Sequence, residues 1–293
     1  MINKWYKNHK FSMLYEQLQK NTSKGDKSMK KLCISMLISL IVLGGLLSSS
    51  IWANGIINTN TTEGNHLFTA KFEGEKQTCT AVAINPSTYL TAAHCVDYEN
   101  KQGNIGKIYP ALSGISTPLN YENVNKAIVY EEGSITKPVD KAKDLALLKV
   151  ERPTSTSSTY YLNGKTPNIM GVSKDRIDKD SKSLINNKVY SVGYSSERGN
   201  NYSVLFEGEI TNIYINSHRG NDENSFEKSG IVDTSIYAAP GQSGSGLYLK
   251  DEKGLNHSDE LIGILSSSSY DNKNATFALI TTKVKAWIDE NSK

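Results

Sequence analysis

The chain has 293 residues, with 33 Lys and Arg against 30 Asp and Glu, for a formal net charge of +3. The first 53 residues hold eight Lys and only two acids, Glu16 and Asp26, which leaves 25 basic and 28 acidic residues beyond them. No basic field remains there to argue for a nucleic-acid partner.

Met29-Lys30-Lys31 opens the first recognisable element. A mostly apolar run over 32–47 follows, then Ser48-Ser49-Ser50-Ile51-Trp52-Ala53. A charged start, an apolar middle and a small-residue end read as a secretory signal over 29–53. The apolar run is short of the roughly 20 residues that a membrane span needs. The expected location is therefore extracellular, with a signal-anchored form at the cell surface as the alternative. Residues 1–28 read as an N-terminal extension or as the product of a start codon set too early, Met29 being the better start.

Residues 54–65 are polar and aperiodic and read as a loose N-terminus or short propeptide. From His66 onward short β-rich runs separated by turns dominate, at 67–72, 80–84, 89–92, 107–112, 127–130 and 145–150. The stretch 151–183 carries Pro153, Pro167 and many Ser, Thr and Asn, and reads as the crossing between two halves. Strands resume at 188–192, 204–215, 230–237, 245–249, 261–266 and 276–280. Val284, Trp287 and Ile288 then fall at helical spacing within 281–291. Many short strands and one terminal helix predict an all-β pair of barrels, the first over about 66–152 and the second over about 184–280. Residues 66–293 make up the whole predicted domain.

Three residues stand out along this frame. His94 follows two alanines, Asp144 opens an apolar run, and Ser243 lies in Pro240-Gly241-Gln242-Ser243-Gly244-Ser245-Gly246. A nucleophile, a base for it and an orienter for the base are the minimum kit for acyl transfer. Gly241 and Gly244 allow a turn that aims the N–H groups of Gly241 and Ser243 at one point, as an oxyanion hole requires. Of the three cysteines, Cys33 falls in the signal. An exported pair, Cys79 and Cys95, reads as one disulfide, with two buried free thiols as the other reading. His94 beside Cys95 makes a poor metal site, because neighbours on a strand point to opposite faces. GxxxxGK[ST] and GxGxxG are both absent, and Asn221-Asp222-Glu223-Asn224 reads as a solvated loop rather than a Ca²⁺ site. No metal or cofactor is expected.

These residues resemble a known family. Thr91-Ala92-Ala93-His94-Cys95 matches the TAAHC signature of chymotrypsin-like serine peptidases. Asp144-Leu145-Ala146-Leu147-Leu148 matches their D-[IL]-A-L-L, and 241–246 resembles their G-[DN]-S-G-[GS] turn. Cys79 and Cys95 match the disulfide beside their histidine. Leu261-Ile262-Gly263-Ile264-Leu265-Ser266 resembles their pocket strand, in which Ser266 supports Asp144. The resemblance covers about 66–290 and implies two antiparallel six-stranded β-barrels with the site in the cleft between them. It further implies a serine endopeptidase acting on protein or peptide substrates, as a monomer, with no membrane partner unless the signal stays uncleaved. A silent binding or adhesion module on the same fold is the alternative. Pro240-Gly241-x-Ser243-Gly244-Ser245-Gly246 is closest to the bacterial branch with glutamyl endopeptidases and exfoliative toxins.

The departures bear on specificity and activation. Gln242 stands where trypsin-like enzymes have the Asp that pairs with a new N-terminal amine, so that route of activation is not expected. The pocket residues implied are Tyr237, Ala238, Leu265 and Ser267. Glutamyl-specific members carry Thr and His where this chain has Ala238 and Leu265. Tyr237 stands where trypsin-like enzymes have a basal Asp. A neutral pocket for small or apolar side chains is expected. Pro240 adds a last point: in exfoliative toxins the matching Pro-Gly peptide can sit flipped, its carbonyl in the oxyanion hole, and the resemblance implies the same here.

Overall fold

The computed structural model describes residues 55–114, 121–131, 141–151, 159, 162–173, 176, 184–198, 201–215, 229–250 and 259–293. The extension 1–28, the signal 29–53 and the Asn221-Asp222-Glu223-Asn224 loop lie outside them. Two closed, six-stranded antiparallel barrels carry the fold.

Barrel one is formed by β2 (Thr69–Gly74), β3 (Thr78–Asn85), β4 (Thr88–Thr91), β5 (Lys101–Pro110), β6 (Glu122–Val129) and β7 (Ala146–Val150). Neighbours around it run β2-β3-β4-β7-β6-β5, and β5 closes back on β2. Barrel two is formed by β9 (Lys188–Tyr194), β10 (Ser203–Ile215), β11 (Gly230–Thr234), β12 (Gly246–Leu249), β13 (Glu260–Ser268) and β14 (Ala275–Leu279). Its order is β10-β11-β14-β13-β12-β9, closed by β9 pairing with β10. Closure pairs each barrel strand on both sides.

Two strands outside the barrels correct the sequence reading. The segment taken as loose carries β1 (Ile56–Asn58), which pairs Ile56 with Leu205 and Asn58 with Ser203 of β10. Three residues are too few for a periodic signal; tertiary pairing decides them. The crossing likewise carries β8 (Asn168–Ile169), parallel to β13. Several predicted runs are longer in the structure, β5 and β6 by the most. β5 begins six residues early because Gly103, at φ 100°, lets a bulge between Gln102 and Gly106 continue the ladder. β6 begins at Glu122, itself buried, and alternates from there: Asn123 and Lys126 face outward while Val124, Ala127 and Val129 are buried.

The predicted terminal helix is present as α1 (Thr282–Asn291), capped by the Thr281 hydroxyl, which accepts from the Val284 N–H at 3.2 Å. Val284 and Ile288 bury into a core cluster shared with barrel one. Trp287 meets Tyr130 edge-on, with ring centroids 5.2 Å apart. That cluster also takes in Tyr190, Val192, Tyr248, Leu261 and Ile264 of barrel two, so one apolar mass joins the two barrels. No helix among the described residues is long and apolar enough to cross a membrane.

Candidate active site

The first half of the site hangs from barrel one. The chain leaves β4 at Thr91 and coils into a 3-10 turn, Ala93–Val96, that presents His94. The expectation of a strand at His94 is corrected here. The turn is fixed on both sides: Cys95 is disulfide-bonded to Cys79 of β3, and the Gln77 side chain donates to the His94 carbonyl at 2.6 Å. It ends with Asp97 and Tyr98 at φ 61° and 60°, and the Asp97 carboxylate is held by Lys101 at 2.6 Å and Lys76 at 3.1 Å. The sulfurs and the His94 ring lie close together, but both sulfurs are spent on the disulfide and offer no thiolate to a metal.

Asp144 follows a second 3-10 turn, Lys141–Lys143, just before β7, and is 2 % exposed. A buried carboxylate must be matched by donors, and Asp144 has three. Its Oδ1 accepts the His94 backbone N–H at 2.8 Å. Its Oδ2 lies 2.7 Å from His94 Nδ1 and accepts the Ser266 hydroxyl at 2.6 Å. A carboxylate can only accept, so Nδ1 carries the proton and Nε2 keeps a free lone pair. The same charge reaches Tyr98, whose hydroxyl is pushed up to about 12, first by burial and then by Asp144.

The second half of the site is the loop 239–246 before β12, and its backbone groups can be accounted for one by one. The Pro240 carbonyl accepts from the Ser196 N–H at 2.8 Å. The Gly241 carbonyl accepts from the Thr80 hydroxyl at 2.9 Å. Gln242 donates its N–H to Ala239 at 3.2 Å, and its carbonyl accepts from Ser245 at 2.9 Å. The Ser243 carbonyl accepts from the Thr80 N–H at 2.7 Å, and Gly244 donates to Leu265 at 2.9 Å. Among the backbone hydrogen bonds of the described residues, two donors of this loop are unspent: the N–H groups of Gly241 and Ser243. The flip allowed by the resemblance is thus absent, since the Pro240 carbonyl is committed to Ser196.

Gly241 and Gly244 have φ of 92° and 85°, which only glycine adopts without strain. A Cβ on Gly244 would lie 2.1 Å from the Thr80 carbonyl and 3.2 Å from the Ala92 nitrogen. The Ser243 loop is therefore pressed against the strand ends that lead to His94. From the other side, Gly244 is bonded to Leu265, whose neighbour Ser266 is bonded to Asp144. The fold thus brings His94, Asp144, Gly241, Ser243 and Ser266 into one region.

Gln242 is fully buried, and its Oε1 accepts the Ala239 N–H at 2.7 Å. The side chain thus turns back to brace its own loop, where trypsin-like enzymes need an N-terminal amine. Its Nε2 has no partner among the described residues, a cost of about 1–3 kcal/mol for a buried donor. Ala238 and Leu265 are buried and place no charge in the pocket region. The Ser267 hydroxyl is buried without a partner. The Tyr237 hydroxyl donates to Glu197 at 2.5 Å, so its proton is spent. Its pKa is raised, first by desolvation and then by that bond. Thr80, Ser196 and Glu197 escape sequence reasoning altogether, because a Thr in a strand and a Ser-Glu pair in a turn are default residues at such places.

The trypsin family model matches residues 56–288. No curated protein sequence matches the chain. Among solved structures it is similar to a Glu endopeptidase in complex with MPD, at 16% identity and a TM-score of 0.58 over 80% of this chain and 95% of that one. It is also similar to protease Anisep from Arthrobacter nicotinovorans, at 13% and 0.56 over 80% and 98%. A thermostable serine protease, AL20, from an extremophilic microorganism gives 14% and 0.54 over 77% and 95%. At such identities these structures speak for the fold, and the family match, which spans most of the chain, speaks for the lineage. The chain belongs to the trypsin family of serine endopeptidases.

Proposed function

We propose that this peptidase is secreted and cleaves peptide bonds through an acyl-enzyme carried on Ser243. The observation that carries the reading is the bond chain Ser266–Asp144–His94, together with a nucleophile loop whose only unspent backbone donors are Gly241 and Ser243. Ser243 Oγ attacks the scissile carbonyl carbon while His94 Nε2 takes its proton. The N–H groups of Gly241 and Ser243 receive the oxyanion. His94 then gives the proton to the departing amine, and water, deprotonated by the same nitrogen, releases the acid and frees Ser243. Asp144 holds the tautomer and balances the imidazolium.

The signal-like segment 29–53 supports export, and the substrate is a protein or peptide met by a monomer outside the membrane. Ala238 and Leu265 supply no cation and the Tyr237 proton is taken, which disfavours an acidic side chain before the scissile bond and supports small or apolar ones. The internal brace from Gln242 supports an oxyanion hole formed without a new N-terminus.

A fluorophosphonate probe applied to the culture medium and to the cell fraction tests the reading. Labelling of the secreted protein, lost in Ser243→Ala, is expected. A folded, secreted protein that takes no label would overturn it. A peptide-library profile with a strong preference for a charged residue before the cut would overturn the neutral pocket.

A further inference from the structure

The backbone groups engaged around the proposed oxyanion hole are tied down by groups in barrel two or in the loop itself, with two exceptions. The Gly241 carbonyl and the Ser243 carbonyl are both held by Thr80, in β3 of barrel one. All polar groups of this fully buried residue are engaged. Its N–H donates to Ser243 at 2.7 Å, its carbonyl accepts the Thr91 hydroxyl at 2.7 Å, and its hydroxyl serves two partners. The Tyr194 N–H donates to Thr80 Oγ1 at 2.9 Å, and Oγ1 donates to the Gly241 carbonyl at 2.9 Å.

That pairing orients the hydroxyl. A threonine hydroxyl has one proton and two lone pairs. With Tyr194 occupying an acceptor position, the proton is left for Gly241. The Gly241–Gln242 peptide is thus pulled towards barrel one by its oxygen, and Gln242 is anchored at its nitrogen by Ala239. The two peptide planes that meet at the Gly241 Cα are thus pinned separately, the one carrying the Gly241 N–H by Ser196 through the Pro240 carbonyl and this one by Thr80, and losing either pin frees rotation about a glycine Cα that has no side chain to limit it. Packing closes the remaining freedom: a Cβ on Gly193 would meet Thr80 Oγ1 at 3.1 Å and Ser245 Oγ at 1.9 Å.

We propose that Thr80 is a positioning residue for the oxyanion hole, its hydroxyl holding the Gly241 carbonyl so that the Gly241 N–H stays aimed at the developing oxyanion. The proposal rests on the triad reading above. Thr80 also adjoins Cys79, which is bonded to Cys95 beside His94. One two-residue step of β3 therefore registers the base against the nucleophile loop, by a disulfide on one residue and a hydroxyl on the next.

The test compares Thr80→Val, which keeps the shape and removes the hydroxyl, with Thr80→Ser, which keeps the hydroxyl. Both are measured beside wild type and Ser243→Ala. Kinetics use a peptide substrate taken from the library profile, with concentrations set by fluorophosphonate titration of active sites. Thr80→Val is expected to lower kcat by about tenfold to a hundredfold while KM stays within about twofold, since the lost contact matters to the oxyanion and not to ground-state binding. Thr80→Ser is expected to stay within about threefold of wild-type kcat. Wild-type kcat in Thr80→Val, or an equal loss in both variants, would overturn the role of the hydroxyl. Should Thr80→Val fail to fold, Thr80→Ser still decides, because a hundredfold loss with the hydroxyl present contradicts the proposal. Failure of the triad reading looks different: wild type itself then takes no label.

Discussion

The turn that carries His94 and the loop that carries Ser243 reach rigidity by different means. The His94 turn is held by contacts with strong chemistry: a disulfide, a buried carboxylate that grips both its backbone and its ring, and a pair of lysines on Asp97. Among the described residues the Ser243 loop has no covalent cross-link and no ion pair. It is held by backbone bonds from Ser196, Thr80 and Leu265, by its own Gln242, and by two glycines at positive φ. A base must hold one tautomer against a charge that comes and goes, which suits a fixed counter-charge. An oxyanion hole must leave two donors unspent, which suits a loop in which every other backbone donor is spent.

Breaking the chemistry on either side gives the largest effects. Ser243→Ala should cut kcat by about 10⁴-fold or more while leaving the melting temperature near wild type. Asp144→Asn should cost about as much from the other side, on the order of 10⁴-fold, because an amide at that site favours the wrong His94 tautomer. Wild-type turnover in either variant would remove the triad. Opening the disulfide with Cys79→Ala and Cys95→Ala should cost about 3 kcal/mol of stability in a denaturant titration, the scale for a closed loop of this length. An equal melt for mutant and wild type would mean that Asp144, Gln77 and the lysines on Asp97 hold the turn without the covalent tie.

Two smaller effects sharpen the contrast. Ser266→Ala removes one of three donors to Asp144 and should lower kcat by about tenfold, near the low end of the roughly 1.5–3 kcal/mol of a hydrogen bond to a charge. A change above a hundredfold would give Ser266 more than a supporting part. His66 concerns stability alone. Its ring is buried with Nδ1 2.6 Å from Ser203 Oγ, and burial lowers its pKa from 6.5 to about 4. The folded state keeps it neutral while the unfolded chain takes up a proton. Its contribution is therefore complete above about pH 6.5 and is lost as pH falls towards 4. The melting temperature should decline over that window, and His66→Gln should flatten the decline; an unchanged slope in the variant would assign the loss to carboxylates instead.

Much of this was legible in the chain. Alternation and turn residues located most of the barrel strands, and helical spacing located α1, because each is a local pattern. The short strands β1 and β8 were not, since two or three residues carry no period and their pairing comes from β10 and β13. The triad candidates and the disulfide could be read because their chemistry needs particular residue types in recognisable settings. Glu197 could not: its meeting with the Tyr237 hydroxyl joins residues 40 apart in sequence, and neither type is unusual at its place.

Sequence alone settled the residue types, their order, and the barrel pair that a succession of short strands makes. It also showed that Gln242 could not form the ion pair of trypsin-like activation. What Gln242 does instead, which way the Pro240–Gly241 peptide faces, and that Thr80 clamps the loop from the other barrel were decided by tertiary structure. The reason is that a peptide group's orientation depends on the partner it finds, and here the decisive partners, Ser196 and Thr80, lie 44 and 161 residues away from the groups they hold.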